Sequence, residues 1–172
     1  MKKKIVLGLI PTRLNSTRLP QKALLEIENI PLVVHTYKRS QLSKLIDELY
    51  ICCDDKKIYN KVKSFGAKCI MTSIHHNNGT ERIYEAFKKI SKRKKFDLIV
   101  DIQGDEPLIS PYHIDKVIKH HVKNYENDIV LPTIYSDQKN NTNIIKVISN
   151  IKNEVMYLSR SNIPFEFKNN TK

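Results

Sequence analysis

Short apolar runs take turns with amphipathic stretches at least four times along the chain, and this alternation leaves few folds open. Residues 4–10 (KIVLGLI) form a continuous apolar run, as expected of a strand buried on both faces. Residues 31–42 carry helical apolar spacing behind Pro31, which suits a first helical position. Residues 48–53 (ELYICC) read as a second strand. Asp54 or Asp55 caps the helix that follows, and Gly66 stops it. Residues 67–72 read as a third strand, residues 80–90 as a helix and residues 96–102 as a fourth strand. Ser110 and Pro111 look like an N-cap and first-turn pair; the helix they open places Ile114, Val117, Ile118 and His121 on one face. Residues 128–132 and 143–149 are further strand candidates. The pattern predicts a three-layer α/β fold with a mostly parallel sheet, in one domain over residues 1–172. Such sheets bind ligands beyond the carboxyl ends of their strands, so the loops after the strands matter most.

Composition narrows the partners. The formal net charge is +12, mostly from lysines scattered along the chain. The clusters at residues 2–4 and 92–95 lack the interleaved aromatic residues of a base-stacking surface. The charge is read as a solvated surface or as attraction for a polyanionic small substrate, with no nucleic-acid partner. Nucleic-acid binding, the rival from another class, would show itself as steeply salt-dependent affinity. The three cysteines, Cys52, Cys53 and Cys69, have no CxxC spacing, which argues against a disulfide framework or a zinc site. They are expected as reduced, buried, small apolar residues. No apolar stretch is long enough to enter a membrane as a helix, and the cytoplasm is the expected location. His75-His76 and His120-His121 make poor metal pairs, because adjacent side chains diverge on a helix or a strand.

Four loops carry the chemistry. Residues 11–22 (PTRLNSTRLPQK) begin where the first strand ends and combine Arg13, Arg18 and Lys22 with the hydroxyls of Ser16 and Thr17. Guanidinium forks match phosphate oxygens, so the loop reads as a phosphate cradle or as an exposed basic loop. It lacks the GxxxxGK[ST] of a Walker loop. Residues 101–107 (DIQGDEP) follow the fourth strand; Gly104 allows close backbone approach, and Asp105 is a hard oxygen donor suited to magnesium or a polar turn residue. Glu106 reads more simply as part of the turn. Residues 77–82 (NNGTER) open a helix, with Gly79 permitting an unusual backbone angle and amides that can face an anion. Residues 157–164 (YLSRSNIP) place Arg160 after a strand-like run, on the surface or against an anionic partner.

Taken together and in this order, these segments resemble the 3-deoxy-manno-octulosonate (Kdo) cytidylyltransferase family, the CMP-Kdo synthetases. The likeness rests on IPTRLNSTRLPQKAL, PLVVHTY, MTS followed by NNGTERIYEA, DIQGDEPLI and YLSRSNIP. The resemblance implies a nucleotide-diphospho-sugar transferase type of fold. It implies transfer of CMP from CTP to Kdo for lipopolysaccharide synthesis, with release of pyrophosphate and dependence on Mg2+. Its alternatives are another acidic sugar, of the amino-Kdo or sialic-acid kind, or a non-catalytic remnant that binds CTP. Carried over residue by residue, Arg13, Lys22 and Asp105 would be catalytic. Pro11, Arg13, Ser16, Arg18, Lys22, Thr72, Gly79, Thr80 and Arg82 would bind nucleotide. Gln103 and Arg160 would meet the sugar, and Asp105 would hold the metal. Two departures stand out: Gln21 where the family usually has Gly, and Asn78 where it usually has Ser. The family also extends past the SRxxIP element. The resemblance therefore implies a further C-terminal part carrying a second metal-binding Asp, sugar contacts and the contacts of a homodimer.

Overall fold

The computed structural model describes residues 3–15, 19–138 and 141–163. The chain divides into two compact units, Met1–Val130 and Leu131–Lys172.

The first unit is built on a four-stranded sheet. Its strands are β1 (Val6–Pro11), β4 (Glu48–Cys53), β5 (Cys69–Met71) and β6 (Leu98–Asp101), in the order β5-β4-β1-β6. Every pairing in it is parallel. Two short strands, β2 (Glu26–Ile27) and β3 (Ile30–Pro31), form a separate hairpin. Glu28 and Asn29, at its tip, both have positive φ, as a tight hairpin turn that follows the strand twist requires.

Helices cover both faces of the sheet, as the expected three layers require. Side chains alternate across a strand. Val6 and Ile10 of β1 therefore pack with α1 (Leu32–Ser40), α2 (Lys56–Ser64) and α4 (Pro111–Lys123) through Val33, Ile58 and Ile114. Leu7 and Leu9 face the opposite way, onto Ile83, Ala86 and Ile90 of α3 (Gly79–Ser91). Cys52 lies on this second face, and burial pushes its thiol up to about 12. Cys53 lies on the first face, with its Sγ 3.3 Å from that of Cys69. All three cysteines are free thiols, and Cys69 is only partly buried.

Local chemistry sets the element ends. Asp55, rather than Asp54, caps α2: its carboxylate accepts from the Lys57 amide at 2.6 Å. Gly66 ends that helix with φ +77, a conformation that side chains with a Cβ resist. Pro31 sits one residue ahead of α1 as its N-cap. Gln21 departs from the ordinary backbone regions. It has φ 52 and ψ 30 and precedes a short 3₁₀ turn at Lys22–Leu24. Glycine takes this left-handed region freely and glutamine does not, which gives a physical meaning to the departure at this position.

Residues 128–132, expected as a strand, form none. Among the described residues no strand pairs with them, and Ile129 is 83% exposed. The second unit contains an antiparallel hairpin, β7 (Lys146–Ser149) and β8 (Val155–Ser159), with a register shift at Ile148/Ser149. The strand expected at 143–149 is present over its last four residues. No helix among the described residues is long and apolar enough to cross a membrane.

Replacing Gln21 by Gly is expected to stabilise the protein by up to about 1 kcal/mol. The relief of left-handed strain, roughly 1–2 kcal/mol, exceeds the added entropy of an unfolded glycine. A urea titration checks this: the midpoint should rise with an unchanged slope.

Candidate active site

The sheet delivers three loops to one place. The carboxyl ends of β1, β4 and β6 lead into residues 11–15, 54–55 and 102–105. A cavity of about 630 Å3 opens there, lined by Pro11, Thr12, Arg13, Lys22, His76, Asn77, Asn78, Gly79, Arg82, Gln103, Gly104 and Asp105, with Leu19, Ala23 and Leu32 as its apolar part. The basic loop after β1 and the acidic loop after β6 thus face each other. Lys22 Nζ lies 2.5 Å from Asp105 Oδ2 although the two residues are 83 apart in sequence. Both side chains remain partly exposed, at 39% and 47%.

Backbone approach fixes the acidic loop. A Cβ built on Gly104 would stand 3.0 Å from the carbonyl oxygen of Pro11, so a side chain here would push the loop and β1 apart by a few tenths of an ångström. Thr36 of α1 donates to the Gly104 carbonyl at 3.2 Å. Gln103 lines the cavity and donates from Nε2 to Asp101 Oδ1 at 3.1 Å. Desolvation raises the Asp101 carboxyl above its usual range, and the Gln103 amide partly offsets this.

The far wall is held by a buried ion pair that the motif spacing did not reveal. Arg82 is 3% exposed. Its Nη2 donates to Asp54 Oδ2 at 3.1 Å, and its Nη1 donates to Thr72 Oγ1 at 2.7 Å and to the Ser73 carbonyl at 3.1 Å. The second carboxylate oxygen of Asp54 accepts from the Leu14 amide at 3.0 Å. Asp54 and Arg82 together tie the loops after β1, β4 and β5 to the first turns of α3. Asp54 read in sequence only as a possible helix cap; a second carboxylate beside a satisfied cap is the signal that could have flagged it.

The start of α3 is capped twice over. Asn78 Oδ1 accepts from the Glu81 amide at 2.9 Å, while the Glu81 carboxylate accepts from Asn78 Nδ2 and from the Asn77 amide, each at 2.9 Å. Asn is as good an N-cap as Ser, so this departure from the family pattern preserves the helix start. Gly79 does not take the unusual backbone angle expected of it: Gly66 is the positive-φ glycine among the described residues. Gly79 begins the helix, and its missing side chain leaves room for the Pro11 ring, 3.4 Å from where a Cβ would lie.

His76, weighed in sequence only as half of a poor metal pair with His75, lines the same cavity. Its Nε2 lies 2.5 Å from Glu85 Oε2. Burial works to raise the Glu85 carboxyl, but hydrogen bonds from Lys89, the Ser73 amide and His76 outweigh it and hold it at about 2.

The remaining expected residues are placed unevenly. Pro11, Arg13, Lys22, Gly79, Arg82, Gln103 and Asp105 meet around the cavity. Thr72 does not line it: it is buried, with its hydroxyl donating to the Cys53 carbonyl at 3.0 Å and accepting from Arg82. Thr80 is exposed on the first turn of α3, outside the lining. Ser16 and Arg18 lie outside the described residues. Arg160 belongs to the second unit, where it donates to the carbonyls of Thr142 at 3.3 Å and Asn143 at 2.9 Å.

The donor set suits magnesium. Asp105 offers a hard, partly exposed carboxylate at the cavity wall, and Mg2+ is commonly held by one or two carboxylates together with substrate phosphates. No cluster of three or more His, Cys, Asp or Glu side chains with metal-ligand geometry occurs among the described residues. Most of the ligands would therefore come from the substrate and water.

A protein-family model described as cytidylyltransferase matches residues 7–172. The chain belongs to the cytidylyltransferase family. The 3-deoxy-manno-octulosonate cytidylyltransferase of Thermodesulfovibrio yellowstonii is 39% identical over 170 residues, which is 94% of this chain and 66% of that protein. The one from Fusobacterium nucleatum is 40% identical over 168 residues, 95% of this chain and 66% of that protein. A solved structure of CMP:2-keto-3-deoxy-manno-octonic acid synthetase complexed with CTP superposes with a TM-score of 0.80 at 31% identity, over 94% of this chain and 66% of that one. The chain thus spans just under two thirds of the length of these relatives, and its fold is of the nucleotide-diphospho-sugar transferase type.

Two adjacent aspartates should behave very differently. Asp54→Ala leaves the buried guanidinium unpaired and is expected to cost about 3–5 kcal/mol. Asp55→Ala removes a helix cap and should cost about 1 kcal/mol. Parallel urea titrations of the two variants check the contrast.

Acid stability carries the Glu85 signature. Its folded carboxyl, at about 2, lies below the ordinary 4.5. The contribution is therefore complete above about pH 4.5 and is lost as pH falls toward 2. Glu85→Gln should flatten the pH dependence of the melting temperature across that window.

Proposed function

We propose that this chain is a cytidylyltransferase that transfers CMP from CTP to Kdo and releases pyrophosphate. The observation that carries the reading is the convergence of Arg13 and Lys22 with Asp105 around one cavity. The named relatives supply the substrate class.

Each residue then has a task. Arg13 is exposed at the cavity wall, so its guanidinium can grip phosphate oxygens. Lys22 adds a compact positive charge on a flexible stem. Arg82, already committed to Asp54 and Thr72, shapes the wall and contributes its charge from behind. Gln103 lines the cavity beside Asp105 and would face the sugar.

In the reaction, the anomeric hydroxyl of the sugar acid attacks the α-phosphorus of CTP in line. A new O–P bond forms as the bond to the β-phosphate breaks. Pyrophosphate departs, and the hydroxyl proton is released. Negative charge grows on the phosphate oxygens, and Arg13 and Lys22 would offset it. Asp105 would hold magnesium, which supplies further positive charge at those oxygens when bound. The protein contributes chiefly positioning and electrostatics, as in phosphoryl transfer generally. No covalent protein nucleophile is needed.

The test is a pyrophosphate-release assay on this chain with CTP, Mg2+ and a panel of acidic sugars, followed by identification of the CMP-sugar. Kdo should be the preferred acceptor. Asp105→Asn is expected to lower turnover at least a hundredfold while leaving the melting temperature within a few degrees. Wild-type turnover of that variant at saturating Mg2+ would remove Asp105 from the metal role.

A further inference from the structure

We propose that Lys22 acts as a resident stand-in for the metal ion. Its ammonium occupies the seat on Asp105 until a nucleotide triphosphate draws it away. This rests on the reading of Asp105 as the metal ligand.

The contact itself is unusual in its placement. Lys22 Nζ reaches Asp105 Oδ2 at 2.5 Å across the mouth of the cavity rather than turning to solvent. Among the described residues no other side chain or amide bonds the Asp105 carboxylate. A cation arriving at either oxygen of Asp105 therefore meets an ammonium already seated on Oδ2, whose charge opposes it until the ammonium leaves.

The pair is built to exchange. Both side chains are partly exposed, at 39% and 47%, so solvent screens the attraction and little packing energy is lost on separation. Lys22 sits on the 3₁₀ turn behind the left-handed Gln21, and its four-carbon stem can swing without moving the backbone. Triphosphate oxygens entering beside Arg13 offer the ammonium a stronger partner than one carboxylate.

The seat is also incomplete without the nucleotide. One carboxylate is a poor magnesium site, and the remaining oxygens must come from phosphates and water. Two costs therefore fall on metal binding to the free protein: displacement of Lys22, and the lack of further ligands. The nucleotide removes both. Metal and nucleotide are thereby coupled through Lys22, and each should raise the affinity for the other.

The experiment measures Mn2+ binding to the full chain by electron paramagnetic resonance, without nucleotide. Wild type, Lys22→Met, Lys22→Gln, Asp105→Asn and the Lys22→Met/Asp105→Asn double variant are compared. Unchanged far-UV circular dichroism establishes that each is folded, and the two Lys22 variants guard against failure of either one. Both Lys22 variants should bind Mn2+ about three- to tenfold more tightly than wild type, and the gain should vanish in the double variant. Unchanged Mn2+ affinity in both Lys22 variants, with loss of binding in Asp105→Asn, overturns the stand-in role and leaves Asp105 as the metal ligand. Affinity indifferent to Asp105→Asn in every background overturns both that role and the metal reading beneath it.

Discussion

A guanidinium buried under a helix needs a carboxylate opposite it, and Arg82 finds one in Asp54. Removing either partner would strand the other charge in a poorly solvated place, a heavy penalty for a protein of this size. The geometry of the site follows from satisfying that pair. Asp54 spends its second oxygen on the Leu14 amide and so holds the loop after β1. Arg82 spends its other nitrogen on Thr72 and Ser73 and so holds the loop after β5. The loop after β1 is therefore fastened at its base while Arg13 and Lys22 line the cavity. The two ion pairs differ in kind: that of Arg82 with Asp54 is shielded from solvent, and that of Lys22 with Asp105 is open to it.

The parallel sheet explains why these loops meet at all. In β1, residues 6–11 lie between β4 and β6, so the three carboxyl ends emerge side by side. Gly104 lets the acidic loop press against the Pro11 carbonyl, and Thr36 of α1 pins it from the helical layer. Under the proposed function, Arg13 and Lys22 on one wall would meet a nucleotide's phosphates and Asp105 on the other would hold a metal.

Much of this was legible in the chain, for physical reasons that differ by element. The strand over 48–53 was read to its observed bounds, because apolar runs closed by paired aspartates leave little choice. Residues 128–132 had the composition of a strand but no neighbour to pair with, and periodicity carries no information about neighbours. Thr72 was read as the end of a strand, and the resemblance assigned it to the nucleotide. Its hydroxyl instead completes the shell of Arg82, a contact between side chains ten residues apart that only the fold creates. Asp54 was hidden behind Asp55, since either could cap α2. His76 was weighed only as a metal ligand beside His75, whereas its partner Glu85 lies two turns along α3. Lys22 and Asp105 were expected near one nucleotide, and their direct contact, 83 residues apart, was beyond any local pattern.

One claim underlies the rest: the cavity at the ends of β1 and β6 receives a nucleotide triphosphate between its basic and acidic walls. A crystal structure of this chain with a non-hydrolysable CTP analogue and Mn2+ would show it directly. Phosphate oxygens should lie within hydrogen-bond distance of Arg13 and Lys22, with an anomalous-scattering peak beside Asp105. A nucleotide bound outside this cavity, or one whose metal sits away from Asp105, would refute the claim.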